Sequence, residues 1–284
     1  MSETVPQVFE TKNMRRFSAN GKIVYKDGTT EILAHGMTEI AKRAYKKRTD
    51  IVSAVLPSGV RRIGEGAFFG CTSLESIVIP DSVTSIGGEA FVYCENLKSI
   101  VIPPDVRTVC KSCFEYCTGL ESVTLPEGLD KIGEWAFRGC ESLEGVIFPE
   151  SLMTICDSSF LGCKKLTEIK VPGNVLEIGN FAFSECGSLE RVIISEKPKY
   201  LSEPVLYMLS GVFSYDRALK SIRIPVALKE IANNMFEYCD SLETIYYGGS
   251  RSDWRKIKIS KYGNGNLNGG LFKRAKIKIE YECK

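Results

Sequence analysis

The sequence predicts a repeat solenoid built on a parallel sheet, and three observations carry that prediction. Phe68, Phe91, Phe114, Phe137, Phe160 and Phe183 recur at a constant 23-residue spacing. Cys71, Cys94, Cys117, Cys140, Cys163 and Cys186 follow three residues later, and Leu74, Leu97, Leu120, Leu143, Leu166 and Leu189 six residues later. Pro57, Pro80, Pro103, Pro126, Pro149 and Pro172 open the successive units. With so short a period each unit buries its apolar side only against its neighbours, so the array grows without a central core.

Residues 80–102 show how one unit divides. Ile100 and Ile102 are two apart and share one strand face, with Leu97 leading into it. Val83 and Ile86 anchor a second, shorter extended piece. Residues 89–93, with the Ala90-Phe91 pair, are long enough only for a helical turn or 3₁₀ segment. Gly87 and Gly88 release the chain between these two pieces. Stacked units place like strands in parallel about 4.8 Å apart. Ser99 and Val101 then face outward, and the phenylalanines stack in register inside.

The units fall between two caps. Residues 1–35 form an N-terminal cap, with a hairpin turn signal at Asp27-Gly28 between Ile23-Val24-Tyr25 and Glu31-Ile32-Leu33. Residues 36–247 hold about nine units, from a degenerate one at Tyr45 to those of Phe213 and Phe236. The step from Phe183 to Phe213 exceeds the period, which places a seven-residue insertion near 202–212. Ser202 as cap, Pro204 in a first helical position and the apolar run 205–209 predict a helix there. Tyr207 and Met208 on it are a candidate second contact site. Residues 248–284 form a C-terminal cap: a helical turn at Ser252-Asp253-Trp254, a glycine–asparagine loop over 263–270, and a last strand at 277–279. Lys276 and Lys278 would discourage edge-to-edge growth of that strand.

Charge and cysteine usage narrow the function classes. The net charge is +2, but residues 1–50 carry 10 Lys/Arg against 6 Asp/Glu, residues 51–250 carry 17 against 26, and residues 251–284 carry 10 against 3. An acidic body sits between basic ends, which read as solubility and end protection; a polyanion-binding end is the alternative, weakened by the low overall charge, and no nucleic acid is expected as partner. No apolar run approaches the length of roughly 18 residues that a membrane span needs, so none is expected. Residues 1–12 are polar, without the apolar stretch of a signal peptide, which predicts a cytoplasmic protein, or a surface or secreted one if a leader has been removed.

Of 11 cysteines, seven share one repeat slot, Cys239 being the seventh. Cys113 stands in an alanine slot, Cys110 and Cys156 in a glycine slot, and Cys283 in the tail. These are small interior positions that suit reduced thiols in a cytoplasmic setting. Cys110, Cys113 and Cys117 have zinc-like spacing but no second pair and no nearby histidine, so no metal is expected. His35 is the only histidine, which leaves the repeats without a Ser–His–Asp set, and no phosphate-binding loop is present. No enzyme and no cofactor follow. Glu75, Glu121, Glu144, Glu190 and Glu243 recur at one slot, interrupted by Lys98 and Lys220, and read as a solvated border stripe.

The candidate binding residues are the outward strand positions. One slot runs Val55, Val78, Val101, Thr124, Ile147, Lys170, Ile193, Arg223, Tyr246, and two residues earlier runs Ser53, Ser76, Ser99, Ser122, Gly145, Glu168, Arg191, Ser221, Thr244. The first half is apolar and small, the second charged and aromatic. An apolar strip on an exposed sheet suggests a protein partner, although strand propensity alone also favours Val, Ile and Thr there. The alternatives are a glycan-binding or adhesion surface, for which Tyr246 and Tyr247 are the clearest exposed aromatics, and a structural spacer. The expected state is a monomer or weak self-association.

The run Ile79-Pro80-Asp81-Ser82-Val83-Thr84-Ser85-Ile86-Gly87-Gly88-Glu89-Ala90-Phe91, followed by Cys94 and Leu97, closely resembles the BspA-like, or Treponema pallidum-type, leucine-rich repeats. The resemblance covers about residues 36–247, and the segment from Tyr246 to Trp254 is similar to a terminal segment of such proteins from gut bacteria. It implies a right-handed leucine-rich-repeat β/α superhelix, with a parallel sheet on its concave side and short extended, helical or 3₁₀ segments on its convex side. It also implies adhesion and protein binding, mostly by surface or secreted proteins.

Overall fold

In the computed structural model the described residues are 20–197, 205–260, 262 and 278–281. They form three parallel ladders wound around one apolar core. The first ladder consists of the long strands Ile51–Val55, Ser76–Val78, Ser99–Val101, Ser122–Thr124, Glu168–Val171, Arg191–Ile194, Ser221–Ile224 and Thr244–Tyr247. The register is the sequence period itself: Ser53 pairs with Ser76, Ser99 with Ser122, and Glu168 with Arg191. Along each strand the faces alternate as the spacing predicts. Ile100 and Ile102 are buried, while Ser99 and Val101 are exposed.

The second ladder consists of two-residue strands, including Arg62–Ile63, Ser85–Ile86, Lys131–Ile132 and Thr154–Ile155. Each buries its second residue, as Ile63, Ile86, Ile132 and Ile155 do. The third ladder stands where a helical or 3₁₀ turn is expected, and takes another form. Ala67 N–H closes on Gly64 O and Phe69 N–H on Gly66 O, but Phe68 N–H donates to Ala90 O and Gly70 N–H to Val92 O of the next unit. Only every second amide makes the i→i−3 bond of a 3₁₀ helix. The residues two before and two after the phenylalanine are left-handed: φ is +57° at Glu89 and +58° at Tyr93, and +60° and +71° at the equivalent Gly66 and Gly70. A side chain in that region costs roughly 1–2 kcal/mol, which the hydrogen bonds to the next unit offset.

The core follows the repeat. Ring centroids from Tyr45 through Phe68, Phe91, Phe114, Phe137 and Phe160 to Phe183 are 5.1–5.4 Å apart and nearly coplanar. The spacing widens to 5.9 and 6.0 Å at Phe213 and Phe236. The cysteine slot has a specific function. Cys94 Sγ donates to Phe68 O at 3.3 Å, Cys117 Sγ to Phe91 O at 3.0 Å, and Cys140 Sγ to Phe114 O at 3.2 Å. The same bond recurs at Cys71, Cys163, Cys186 and Cys239. The thiol is thus a small apolar filler that satisfies a carbonyl of the preceding unit.

At both ends of the array the described residues depart from the parallel repeat pattern. Gly21–Tyr25 and Thr30–Leu33 form an antiparallel hairpin, with Gly28 left-handed at its turn, and Gly21–Tyr25 pairs antiparallel with Ile51–Val55. At the other end Ser250 caps the helix Arg251–Trp254 with Asp253 in a reciprocal capping box. Trp254 stands edge-on to Tyr247, 5.3 Å away. Lys278–Tyr281 pairs with Thr244–Tyr247. The expected loop over 263–270, Lys276 and Cys283 lie outside the described residues.

The expected helix over 205–209 is not formed. Tyr207–Met208 is a short strand in register with Glu177–Ile178, so the longer step is already complete at Tyr207. Arg191 pairs with Ser221 across the same longer step, with the register unbroken up to Ile193. The extra seven residues therefore lie after Ile194 and before Tyr207, between a long and a short strand, an interval that overlaps the start of the expected 202–212 placement. The reason is packing: Met208 takes the buried slot of Ile178 and Leu206 is buried beside it, a pattern that apolar periodicity over so few residues cannot distinguish from a helix.

Candidate functional site

The outward slot of the long strands is a row of side chains, but its members are unequally available. Val101 is 54% exposed, Ile147 84%, Tyr246 37%, and Thr124 and Lys170 are also exposed. Val55, Val78, Ile193 and Arg223 are half-buried. Beside them Ser76, Ser99 and Ser122 line the exposed half.

Ile147 stands out because its strand is interrupted. In place of a long strand this unit has a single bridge, Ser122 with Gly145. The slot filled by Ile79, Ile102 or Leu125 elsewhere holds Phe148, which stands edge-on to Phe160 at 5.7 Å and to Phe183 at 6.3 Å. Pairing resumes at Glu168–Val171.

The charged half of the face satisfies itself. Arg191 grips Glu168 through Nε at 3.0 Å and Nη2 at 2.7 Å, and Lys170 reaches Glu168 at 3.1 Å. These partners, with burial opposing them, hold the Glu168 carboxyl below its ordinary range. Arg223 pairs with Glu196 at 3.5 Å. The exposed apolar half and the ion-paired half are therefore chemically distinct.

Two sequence candidates change standing. Tyr247 is 1% exposed and belongs to the core, so of the tyrosine pair only Tyr246 faces out. At the insertion Tyr207 is 60% exposed but Met208 is 4% exposed, so the two do not form a joint surface. Three of the five glutamates of the row are paired: Glu121 with Lys98 at 3.4 Å, Glu144 with Lys165 at 3.9 Å and Glu190 with Lys220 at 2.9 Å. Among the described residues no three His, Cys, Asp or Glu side chains are grouped to hold a metal ion. No described helix is long and apolar enough to cross a membrane.

The exposed and half-buried aromatics missed by sequence reasoning lie on the turn ladder. Tyr93 and Tyr116 stack at 5.2 Å, Phe69 stands edge-on to Tyr93, and Tyr215 stacks on Tyr238 at 4.7 Å. All four tyrosines share one repeat slot, so their recurrence at the repeat period was the available signal.

The comparisons agree with this geometry. A family model described as the BspA type leucine-rich repeat region matches residues 38–156 and 136–261 in six copies. The structure is similar to a leucine-rich repeat protein of Bacteroides ovatus, with 28% identity, a TM-score of 0.55, and coverage of 91% of this chain and 69% of that one. It is also similar to a leucine-rich repeat protein of T. pallidum, with 26% identity, a TM-score of 0.50, and coverage of 75% and 86%. The pneumococcal vaccine antigen PcpA shares the fold at 20% identity and a TM-score of 0.50, with coverage of 87% and 71%. No curated protein matches the sequence.

Proposed function

The chain belongs to the BspA-type leucine-rich repeat family, and from that premise we propose that it is a non-enzymatic protein-interaction module whose partner docks on the long-strand sheet face. The observation that carries this reading is the uncovered apolar strip of its first half, above all Ile147 at 84% exposure beside Val101 at 54%. Fully burying one such side chain is worth roughly 1.5–3 kcal/mol, so a partner covering both gains a few kcal/mol before its own ordering cost. The exposed serines supply hydroxyls at the rim, and the Glu168–Arg191–Lys170 cluster bounds the strip with charges already paired.

A glycan surface is less well supported. Sugar recognition needs free aromatic faces, and on this sheet Tyr246 stands alone. The turn-ladder rings stack on each other and offer mainly their edges.

The test is a substitution at the strip. Val101→Glu with Ile147→Glu leaves the fold intact, because both side chains point away from the core. Proteins captured from an extract by the wild-type chain are then compared quantitatively with those captured by the variant. Loss of a specific partner is expected. An unchanged set of captured proteins would show that the strip is not the binding face.

A further inference from the structure

The first turn of the array carries Lys42, Arg43, Lys46, Lys47 and Arg48 in one short run, all exposed except half-buried Lys46. The following unit has glycines at the two left-handed positions that Arg43 and Lys47 occupy. A Cβ on Gly66 would stand 3.4 Å from Arg43 Cγ, and one on Gly70 3.4 Å from Lys47 Cγ. The aliphatic stems thus run beside bare backbone. Lys46 Nζ lies 4.6 Å from the Phe69 ring centre, and the Arg48 guanidinium 4.9 Å from that of Tyr25.

Counter-charge is scarce on this turn. Glu65 holds Lys42 at 2.8 Å and Arg43 at 3.7 Å, and Asp50 holds Arg48 at 2.9 Å. Glu31 is nearby, but its carboxylate accepts from Tyr25 and Tyr45. Among the described residues Lys46 and Lys47 have no carboxylate within ion-pairing distance. The hydrogen bonds from Lys42 and Arg48 hold the Glu65 and Asp50 carboxyls below their ordinary range, as a locally positive field requires.

We propose that this basic turn is a docking site for a short acidic peptide segment of a partner protein. Size and charge decide the class of occupant. The patch is confined to one turn, and beyond it residues 51–250 carry 26 acidic against 17 basic side chains. A long polyanion would reach beyond the patch and run over that acidic body, where the patch's own charges, screened over about 8 Å at physiological salt, no longer help it. An extended peptide places alternate side chains about 6.6–7 Å apart, so a few carboxylates match the width of the turn. Single-stranded nucleic acid needs free ring faces to stack on. Here Lys46 covers Phe69, and Tyr93 and Tyr116 are packed face to face.

The experiment measures fluorescence anisotropy of a labelled hexaglutamate peptide, with a hexaserine peptide as blank. The paired substitution Lys46→Ala with Lys47→Ala is compared with Lys164→Ala with Lys165→Ala, lysines on a later turn that are already ion-paired. The expected result is salt-sensitive binding, weakened about tenfold by the first pair and little by the second. Lys46→Arg with Lys47→Arg should retain it. Absence of hexaglutamate binding, or equal loss from both alanine pairs, overturns the proposal. Tighter binding of a sulfated glycan or an oligonucleotide through the same lysines also overturns it, by naming another occupant. So does a salt-sensitive dimer in sedimentation that the first pair abolishes, since the occupant is then a second copy. These outcomes leave the sheet-face reading untouched.

Discussion

At Cys140 the side chain fills a small interior slot, donates to Phe114 O, and is pushed by burial far from the thiolate form. Every cysteine of the slot makes the equivalent bond to a carbonyl, and Cys71 is raised to about 12 by burial. Thiolate is the reactive species, so these cysteines are inert while the array is folded. Cys110 and Cys156 are only half-buried, and burial raises them too. Iodoacetamide labelling of a Cys283→Ser variant without denaturant should modify Cys110 and Cys156 first, with the seven ladder thiols reacting only on unfolding. Early labelling of Cys117 or Cys140 would contradict this.

The exception on the ladder is Asp216, which stands in the cysteine slot fully buried. Its Oδ1 accepts from Cys186 N–H at 2.8 Å, and its Oδ2 has no hydrogen-bond partner. Burial raises its pKa well above 3.8, Cys186 N–H opposes the rise, and the Glu185 charge adds to it. With the folded pKa raised, its contribution is fully present below the unfolded value and is lost as pH rises through the folded one. Asp216→Asn should therefore gain stability relative to wild type as the pH rises above about 4, the ordinary carboxylate value, read from denaturant midpoints. A constant difference above that value would mean Asp216 is not titrating in the core.

At the scale of the element, interior and outward slots are expected to differ sharply. Phe137 is fully buried between Phe114 and Phe160 in mid-array, so Phe137→Ala should cost roughly 3–5 kcal/mol. Thr124→Ala on the exposed face should change stability by no more than about 0.5 kcal/mol. Equal losses in urea unfolding would mean that the strand faces are reversed. The insertion gives a second contrast. Deleting residues 198–204 restores the regular repeat register and should leave the melting temperature nearly unchanged. Deleting 203–209 also restores the length but removes Leu206 and Met208 from the core, and should destabilise strongly. Thermal unfolding of the two deletions distinguishes them directly.

At the scale of the whole molecule each unit is held by its neighbours, so stability depends on how the ends are closed. The antiparallel hairpin covers one end, and Trp254 against Tyr247 closes the last units at the other. Trp254→Ala should release the C-terminal units first. Amide exchange should then accelerate over residues 221–247 while 108–178 keep their protection. Uniform acceleration along the array would mean that the solenoid unfolds as one block.

The period, the inward face of Ile100 and Ile102, the phenylalanine stack and the outward direction of Val101 were legible in the sequence. Each follows from local alternation repeated unit after unit, and repetition aligns like positions whatever their neighbours. The interruptions were not legible in the same way. Replacing Ile or Leu with Phe148 reads as a harmless apolar exchange, yet its ring, packed against Phe160 and Phe183, coincides with a broken strand and an 84%-exposed Ile147. Tyr207 and Met208 read as one patch, but a strand sends adjacent side chains to opposite faces, which buries Met208. The aromatic row of Tyr93, Tyr116, Tyr215 and Tyr238 had the right spacing, but its direction depends on left-handed residues at 93, 116, 215 and 238. Such a conformation costs energy in an isolated chain and becomes favourable only when the next unit accepts the turn's N–H groups. Composition and period determined the solenoid; contacts between units decided which side chains it leaves uncovered.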